Sequence, residues 1–382
     1  MGDNYPKTRV AAVQAAPVFL NREASVEKAC RLISKAGANG AKVIGFPEGF
    51  IPAHPTWYHF HAPMSQKGFG YAVELFKNSV EIPSPATDAL CQAARDASAY
   101  IVMGLCEKLP GTNGTMYNTQ LFIDRSGRIL GKHQKLMPTI GERLVHTVGD
   151  AATLRTFDTE FGRISGLICG ENSNLLAIFT LLAQSTRIHV SCWPHFFPPH
   201  FSKMRDVTFF TCQSLAYQTK AFVISACGTI DDEMLRAHVV TAEDRALLED
   251  PTMCGGSTII SPAGKVIAGP MGPEEGILYA DIDLEQGMRG KLVHDFAGHY
   301  NRADVFQLNV SAMTPPLYNL VPGPLPTIGS LWPMSGRPEG SAKVLEVGAG
   351  GPGDGPAVHA KGEAEPVRRR RSRQRSRRLG VT

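Results

Sequence analysis

The chain has 382 residues, 43% hydrophobic and 19% charged, with 38 glycines and 27 prolines. This is the composition of a loop-rich globular protein of one large or two ordinary domains, and it excludes disordered, collagen-like and fibrous classes. The formal charge is +4, but eight arginines between Arg368 and Arg378 contribute +8, so residues 1–367 carry −4 and the body has no polyanion-binding signature.

The opening residues Met1-Gly2-Asp3-Asn4-Tyr5-Pro6-Lys7 lack the apolar core of a secretory signal, and Pro6 breaks the myristoylation pattern. No apolar run reaches the roughly 18 residues of a spanning helix. Thr8–Gln14 reads as a strand, and Ser25–Ala38 as a helix with Val26, Ala29, Cys30 and Ile33 on one stripe. Lys42–Phe46 is a short buried strand stopped by Pro47, which leaves Glu48 at its C-terminal end. A helix at Thr87–Ala99 and a strand at Tyr100–Cys106 follow. Two hairpin turns, Asp124-Arg125-Ser126-Gly127 and Ser261-Pro262-Ala263-Gly264, share Asp/Ser and Gly turn chemistry and suggest two related halves. Between them come a strand at Arg163–Cys169, a helix at Leu175–Gln184, a strand at Ile188–Cys192, a helix at Lys203–Thr219 and a strand at Ala221–Ala226. Mixed elements recur to about Ile282, which predicts one α/β domain over 1–321. A Pro-rich extension follows at 322–337, and 338–382 reads as a disordered Gly-rich and Arg-rich tail.

The eight cysteines (30, 91, 106, 169, 192, 212, 227 and 254) stand singly, with no C-x-x-C pair and no His/Cys cluster at metal-ligand spacing. The expectation is a reducing, cytoplasmic setting without structural zinc. Three segments place a polar residue at or near the end of an apolar strand: Phe46-Pro47-Glu48-Gly49, Lys132-His133-Gln134-Lys135-Leu136, and Leu167-Ile168-Cys169-Gly170-Glu171-Asn172. Active sites of α/β sheets favour such ends. A neutral thiol is a poor nucleophile, so a carboxylate that takes its proton and a cation that steadies the resulting charge would make Cys169 reactive. Glu48 and Lys135 supply those groups, and the N–H groups after Cys169 suit a developing anion. On residue types alone, an inert buried thiol, a solvated turn glutamate and an exposed lysine remain open readings.

Taken together and in order, Phe46-Pro47-Glu48, Lys132-His133-Gln134-Lys135-Leu136-Met137-Pro138 and Cys169-Gly170-Glu171-Asn172 resemble the three signature blocks of the nitrilase branch of the carbon–nitrogen hydrolase superfamily. The resemblance runs through Gly141-Glu142-Arg143 to the late segment Asp295–Phe306, and covers roughly residues 5–310. It implies an α-β-β-α sandwich, assembling as an α-β-β-α-α-β-β-α dimer and larger spirals. It also implies a metal-free triad of Glu48, Lys135 and Cys169, with Glu142 helping to position substrate and water. The late segment favours nitrile over amide hydrolysis. Two departures bear on substrate preference: Gly170 stands where nitrilases often have Trp, and Leu175 follows Asn174 where many have Pro.

For substrate contacts the candidates are Trp57, Tyr58, Gly170, Trp193 and His195, from the aromatic stretches His54–His61 and Cys192–Phe197. Such loops suit an aryl or arylaliphatic nitrile. They serve equally as core or subunit packing. His54, His59, His61, His195 and His200 invite a metal reading, but the spacing is not that of a zincin helix and Pro55 interrupts any helix. No phosphate-binding glycine loop is present, so neither metal nor nucleotide cofactor is expected. The Arg-rich tail reads as a solvated extension, with nucleic acid an unlikely partner. The competing functions are a nitrile hydrolase, an amidase of the same superfamily, and a nucleic-acid-associated protein.

Overall fold

Residues along Lys7–Gln14 alternate between two apolar surroundings, Val10 and Ala12 on one side, Ala11 and Val13 on the other. A strand apolar on both faces belongs to a sheet covered on both faces. In the computed structural model, which describes residues 5–197 and 203–311, that is the arrangement. The expected Pro-rich extension at 322–337, the tail at 338–382 and His200 lie outside the described residues.

The strands are β1 Lys7–Gln14, β2 Val43–Gly45, β3 Tyr100–Lys108, β4 Met116–Ile123, β5 Ile129–Gln134, β6 Phe157–Thr159, β7 Gly162–Ile168, β8 Thr186–Trp193, β9 Phe222–Cys227, β10 Thr258–Ile260, β11 Val266–Ala268 and β12 Gly276–Asp283. The helices are α1 Arg22–Ala38, α2 Gln66–Asn78, α3 Pro85–Ala97, α4 Leu175–Ala183, α5 Met204–Thr219, α6 Asp232–His238, α7 Ala242–Leu248 and α8 Glu285–Val293.

Two six-stranded sheets form, in the orders β12-β1-β2-β3-β4-β5 and β11-β10-β9-β8-β7-β6. In the first, β1, β2 and β3 run parallel and the flanking pairs are antiparallel; β7, β8 and β9 repeat this pattern in the second. The two halves hinted at by the turns are thus topological equivalents. In both turns the Gly takes the positive φ that an L-residue resists, +79° at Gly127 and +74° at Gly264.

Between the sheets lies a core that includes Val10, Val43, Val102, Phe122, Ile164, Val190 and Ile224. Helices α1 and α3 cover the outer face of the first sheet through Val26, Ala29, Ile33 and Leu90. Helices α4 and α5 cover the second through Ile178, Leu181, Cys212 and Leu215. The result is an α-β-β-α sandwich, as the resemblance implied.

Helix α1 starts three residues before the expected Ser25 because Asn21 accepts from Ala24 N and caps it. Helix α3 likewise begins early, at Pro85, with Thr87 Oγ1 accepting from Ser84 N. Helix α2 was not anticipated, since Gly68 and Gly70 weaken its apolar period. The short α6 and α7, and α8, also went unread. No helix among the described residues is long and apolar enough to cross a membrane.

Candidate active site

Parallel strands deliver their C-terminal ends to one edge of each sheet, and the three signature residues arrive there. Glu48 follows β2, and its N–H donates to Trp193 O at the end of β8, 3.1 Å away. The loop carrying it presses on β3 so closely that a Cβ at Gly104 would lie 1.9 Å from Pro47 O, so only glycine fits. Lys135 follows β5, with its N–H donating to Asn118 O at 2.8 Å. Cys169 ends β7 with φ at +52°. That conformation costs a non-glycine residue about 1–3 kcal/mol and persists only where the surroundings enforce it.

The enforcement comes from the next two side chains. Glu171 accepts from Ile168 N at 3.0 Å and Leu136 N at 2.7 Å, and lies 3.0 Å from His133 Nε2. Asn172 Nδ2 donates to Cys169 O at 2.9 Å, while its Oδ1 accepts from Ser191 Oγ at 2.7 Å and lies 2.9 Å from His189 Nε2. One carboxylate therefore ties the residue before Cys169 to the residue after Lys135.

Glu48, Lys135 and Glu142 form a buried ion-paired network. Lys135 Nζ donates to Glu48 Oε1 at 2.8 Å and to Glu142 Oε2 through a short contact. Asn118 Nδ2 donates to Glu48 Oε1 and Glu142 Oε1, each at 2.7 Å. Glu142 is further fixed by Thr139 N at 2.8 Å and faces His146 Nδ1 at 3.3 Å. His54 Nε2 stands 3.4 Å from Glu48 Oε1 and 3.6 Å from Glu142 Oε1. Glu48 Oε1 is therefore crowded by donors, while Oε2 is buried with no hydrogen-bond partner among the described residues. A buried carboxylate oxygen with free lone pairs is where a proton can be received.

Burial opposes every charge here, so the partners decide. Lys135 and then His54 hold Glu48 below the usual carboxylate range, and Lys135 with His146 and His54 hold Glu142 well below it. Glu142 and Glu48 hold the Lys135 ammonium well above the usual lysine range. The same carboxylates push His54 up to about 9 against its burial. Burial, reinforced by Glu48, pushes the Cys169 thiol up, with Lys135 pulling the other way. Both shifts favour a neutral thiol beside an ionised carboxylate.

Ligand atoms of Glu48, His54 and Glu142 lie within 4.8 Å of one another, a spacing that would suit a cation. Lys135 Nζ already bridges the two carboxylates, so the protein supplies its own cation there.

The proposed substrate contacts are distributed unevenly. Tyr58 is half-buried, and its Cβ would meet a Cβ at Gly141 at 3.2 Å, beside Glu142. His195 is buried with its ring 6.2 Å from that of His54. Gly170 is exposed, and among the described residues a Cβ there would have only Thr139 Oγ1 near it, at 4.0 Å. Trp57 is enclosed by Phe19 and Tyr71, and Trp193 lies in the core under α4 and α5. The two aromatic stretches do meet, through Phe60 with Phe196 at 5.6 Å and His59 with Phe197 at 5.4 Å. Asn118 and His146 were not foreseen as members of the site, and His54 was named only within an aromatic stretch and in the metal reading. Asn118-Thr119-Gln120, three polar residues inside an apolar strand, was the signal that could have located the first.

The carbon-nitrogen hydrolase family profile matches residues 9–289. A nitrilase of Bacillus sp. (strain OxB-1) is 39% identical over 310 residues, 80% of this chain and 88% of that protein. An aliphatic nitrilase of Rhodococcus rhodochrous is 32% identical over 337 residues, 87% and 90% of the two chains. A bifunctional nitrilase/nitrile hydratase of Lupinus angustifolius is 34% identical over 314 residues, 80% and 87%. Among solved structures, the carbon-nitrogen hydrolase of Helicobacter pylori G27 superposes with a TM-score of 0.61 at 16% identity, covering 78% of this chain and 97% of that one, and supports the fold. With the family profile over most of the chain and relatives of this closeness, the protein belongs to the carbon-nitrogen hydrolase family, in its nitrilase branch.

Proposed function

We propose that the protein is a nitrilase, converting an organic nitrile and two waters to a carboxylic acid and ammonia. The observation that carries this reading is the buried Lys135 ammonium bound to both Glu48 and Glu142, with Glu48 Oε2 left free, at the strand ends that also present Cys169. Glu48 takes the thiol proton as Sγ attacks the nitrile carbon, then passes it to the nitrogen, giving a thioimidate. Lys135 stabilises the charge that develops on that nitrogen. Water adds to the C=N bond, ammonia departs and a thioester remains. A second water, activated by Glu48 with Glu142 orienting it, releases the acid and restores the thiol. Loss of sulfur in place of ammonia from the tetrahedral adduct yields the amide as a side product.

The substrate class is an aromatic or arylaliphatic nitrile. Supporting this are Tyr58 beside Gly141 and the meeting of the two aromatic stretches next to His54. The working unit on this reading is a hydrolase domain over 1–321 acting without metal or nucleotide, in the cytoplasm; eight free cysteines suit a reducing compartment. It acts as a homodimer or larger assembly. Leu175, Leu176, Phe296, Tyr300, Val305 and Phe306 line an open apolar groove of about 730 Å³, the kind of surface a subunit covers.

The test is incubation with phenylacetonitrile, benzonitrile, mandelonitrile, a short aliphatic nitrile and the matching amides, measuring ammonia, acid and amide, with Cys169→Ala as control. Acid and ammonia from nitriles, abolished in the variant, are expected. Turnover of amides alone would replace this reading with the amidase one, and fastest turnover of the short aliphatic nitrile would reverse the substrate preference.

A further inference from the structure

We propose that His54 is a positioning residue whose imidazolium, set against Glu48 and Glu142 beside Lys135, determines how acidic a solution the catalytic base tolerates. This rests on the reading of Glu48 as the base for Cys169.

The argument begins with charge. Two carboxylates grip a single ammonium, so with Lys135 alone the network carries one uncompensated negative charge in a buried site. Carboxylates that share a site resist double ionisation, and one of them takes a proton. Glu142 is held by the Thr139 N–H as well as by Lys135 and Asn118. Glu48, with its unengaged Oε2, is the one left to protonate. A protonated Glu48 has no base to offer.

His54 supplies the missing positive charge. Its Nδ1 lies 3.1 Å from Thr56 Oγ1, which aims Nε2 at the two carboxylate oxygens, 3.4 and 3.6 Å away. The groups that face it are Glu48 from the loop after β2, Glu142 from the turn after β5 and the His195 ring 6.2 Å away, with Lys135 and His146 set against the same carboxylates. The buried Cys106 thiol of β3 stays protonated. The other neighbouring imidazoles do not compete for the role. Burial holds His146 and His195 below the usual histidine range and brings His238, whose ring is 5.8 Å from that of His195, down to about 4. His54 has two carboxylates on its free nitrogen, and they overcome burial and bring it up to about 9. With His54 charged, two cations balance two carboxylates, and Glu48 remains ionised to lower pH.

The experiment compares wild type with His54→Gln by two readouts against pH: kcat/KM on phenylacetonitrile, and the rate of Cys169 alkylation by iodoacetamide. Removing a cation next to the Glu48–Cys169 pair makes the pair hold its first proton more tightly, so the acid limb of both profiles should rise by about 1–3 units. For a shift of two units, the rate one unit above the wild-type midpoint should fall about tenfold. His238→Gln, which removes a buried imidazole that bonds Met234 O and touches neither carboxylate, should leave the limb in place. A lowered plateau with an unmoved limb means a merely structural His54 and overturns the inference. Alkylation needs no nitrile, so a shifted alkylation limb in a protein that hydrolyses no nitrile would keep this inference and sink the nitrilase reading. If the Gln variant does not fold, His54→Asn takes its place. The wild type also reports without any variant: a 15N-histidine spectrum in which His54 is neutral at pH 7 overturns the inference.

Discussion

Glu171→Gln tests the clamp that places nucleophile and lysine in one frame. The carboxylate accepts from Leu136 N, beside Lys135, and from Ile168 N, beside Cys169, and faces His133 Nε2, all within 3.0 Å. Gln keeps the shape but offers one acceptor and one donor. If its oxygen stays on Leu136 N, the amide nitrogen points at the Ile168 N–H; His133 can change tautomer, whereas the backbone N–H has no alternative. An orphaned buried donor costs about 1–3 kcal/mol, and hydrogen bonds to a charged group are each about 1.5–3 kcal/mol. A net loss of about 3 kcal/mol is expected. With unfolding entropy near 2.1 cal/mol/K per residue over roughly 300 folded residues, this lowers Tm by about 5 °C. The chemistry should suffer more, because displacements near 1 Å at a reacting centre cost on the order of 100-fold. Scanning fluorimetry and steady-state kinetics at one pH give both numbers. A variant that melts within about 1 °C of wild type and keeps kcat within about twofold would refute the clamp.

Cys169→Ala should be inactive yet folded, and Cys169→Gly equally inactive but about 1 kcal/mol more stable than the Ala variant, since glycine takes φ +52° freely; equal stabilities in urea unfolding would argue against strain at the nucleophile. Gly170→Trp should change stability by less than about 0.5 kcal/mol, because the position is exposed and a Cβ there has only Thr139 Oγ1 within 4.0 Å among the described residues. It should raise KM for branched or biaryl nitriles more than for small ones, and an unchanged size preference would remove residue 170 from the entrance. Folding stability should peak near neutrality. His54, at about 9 in the native state against 6.5 unfolded, contributes about 3 kcal/mol below pH 6.5 that is lost as pH rises towards 9. His189 and His238, brought down to about 3 and about 4, act in the opposite sense, removing stability as pH falls below 6.5. Urea melts from pH 4 to 10 that show monotonic stability would contradict both assignments.

The strands and the helices α1, α3, α4 and α5 were legible because burial on both faces of each sheet forces continuous apolar runs, and the covering helices carry stripes such as Val26, Ala29 and Ile33. Helix α2 escaped because Gly68 and Gly70 interrupt its period, and β12 because polar Asp281 and Asp283 alternate at an edge. Glu48, Lys135 and Cys169 stand at strand ends where the apolar pattern breaks, which marked them as candidates, but it was the resemblance of three blocks in order that joined them into one site. Asn118 and His54 become members only through distances across the sheet, and no spacing along the chain encodes a 2.7 Å hydrogen bond from β4 to Glu48. The aromatic residues show the converse. Trp57 and Tyr58 are adjacent in sequence, yet one is sealed in a core against Phe19 while the other leans on Gly141.

Strand β12 pairs along the whole length of β1, from Lys7 opposite Asp283 to Gln14 opposite Gly276. Among the described residues, the first strand to be synthesised is therefore completed by the last, with the entire second sheet made in between. Contacts so distant in sequence form slowly. During synthesis β1 waits with one hydrogen-bonding edge unfilled and Val10 and Ala12 without their full cover, a state open to mispairing with another chain. Every residue of the reactive network has already been made by position 169. Protein ending before Gly276 would thus hold the whole buried ion-paired network in a sheet with an open seam, and its yield of soluble product would be decided by that seam.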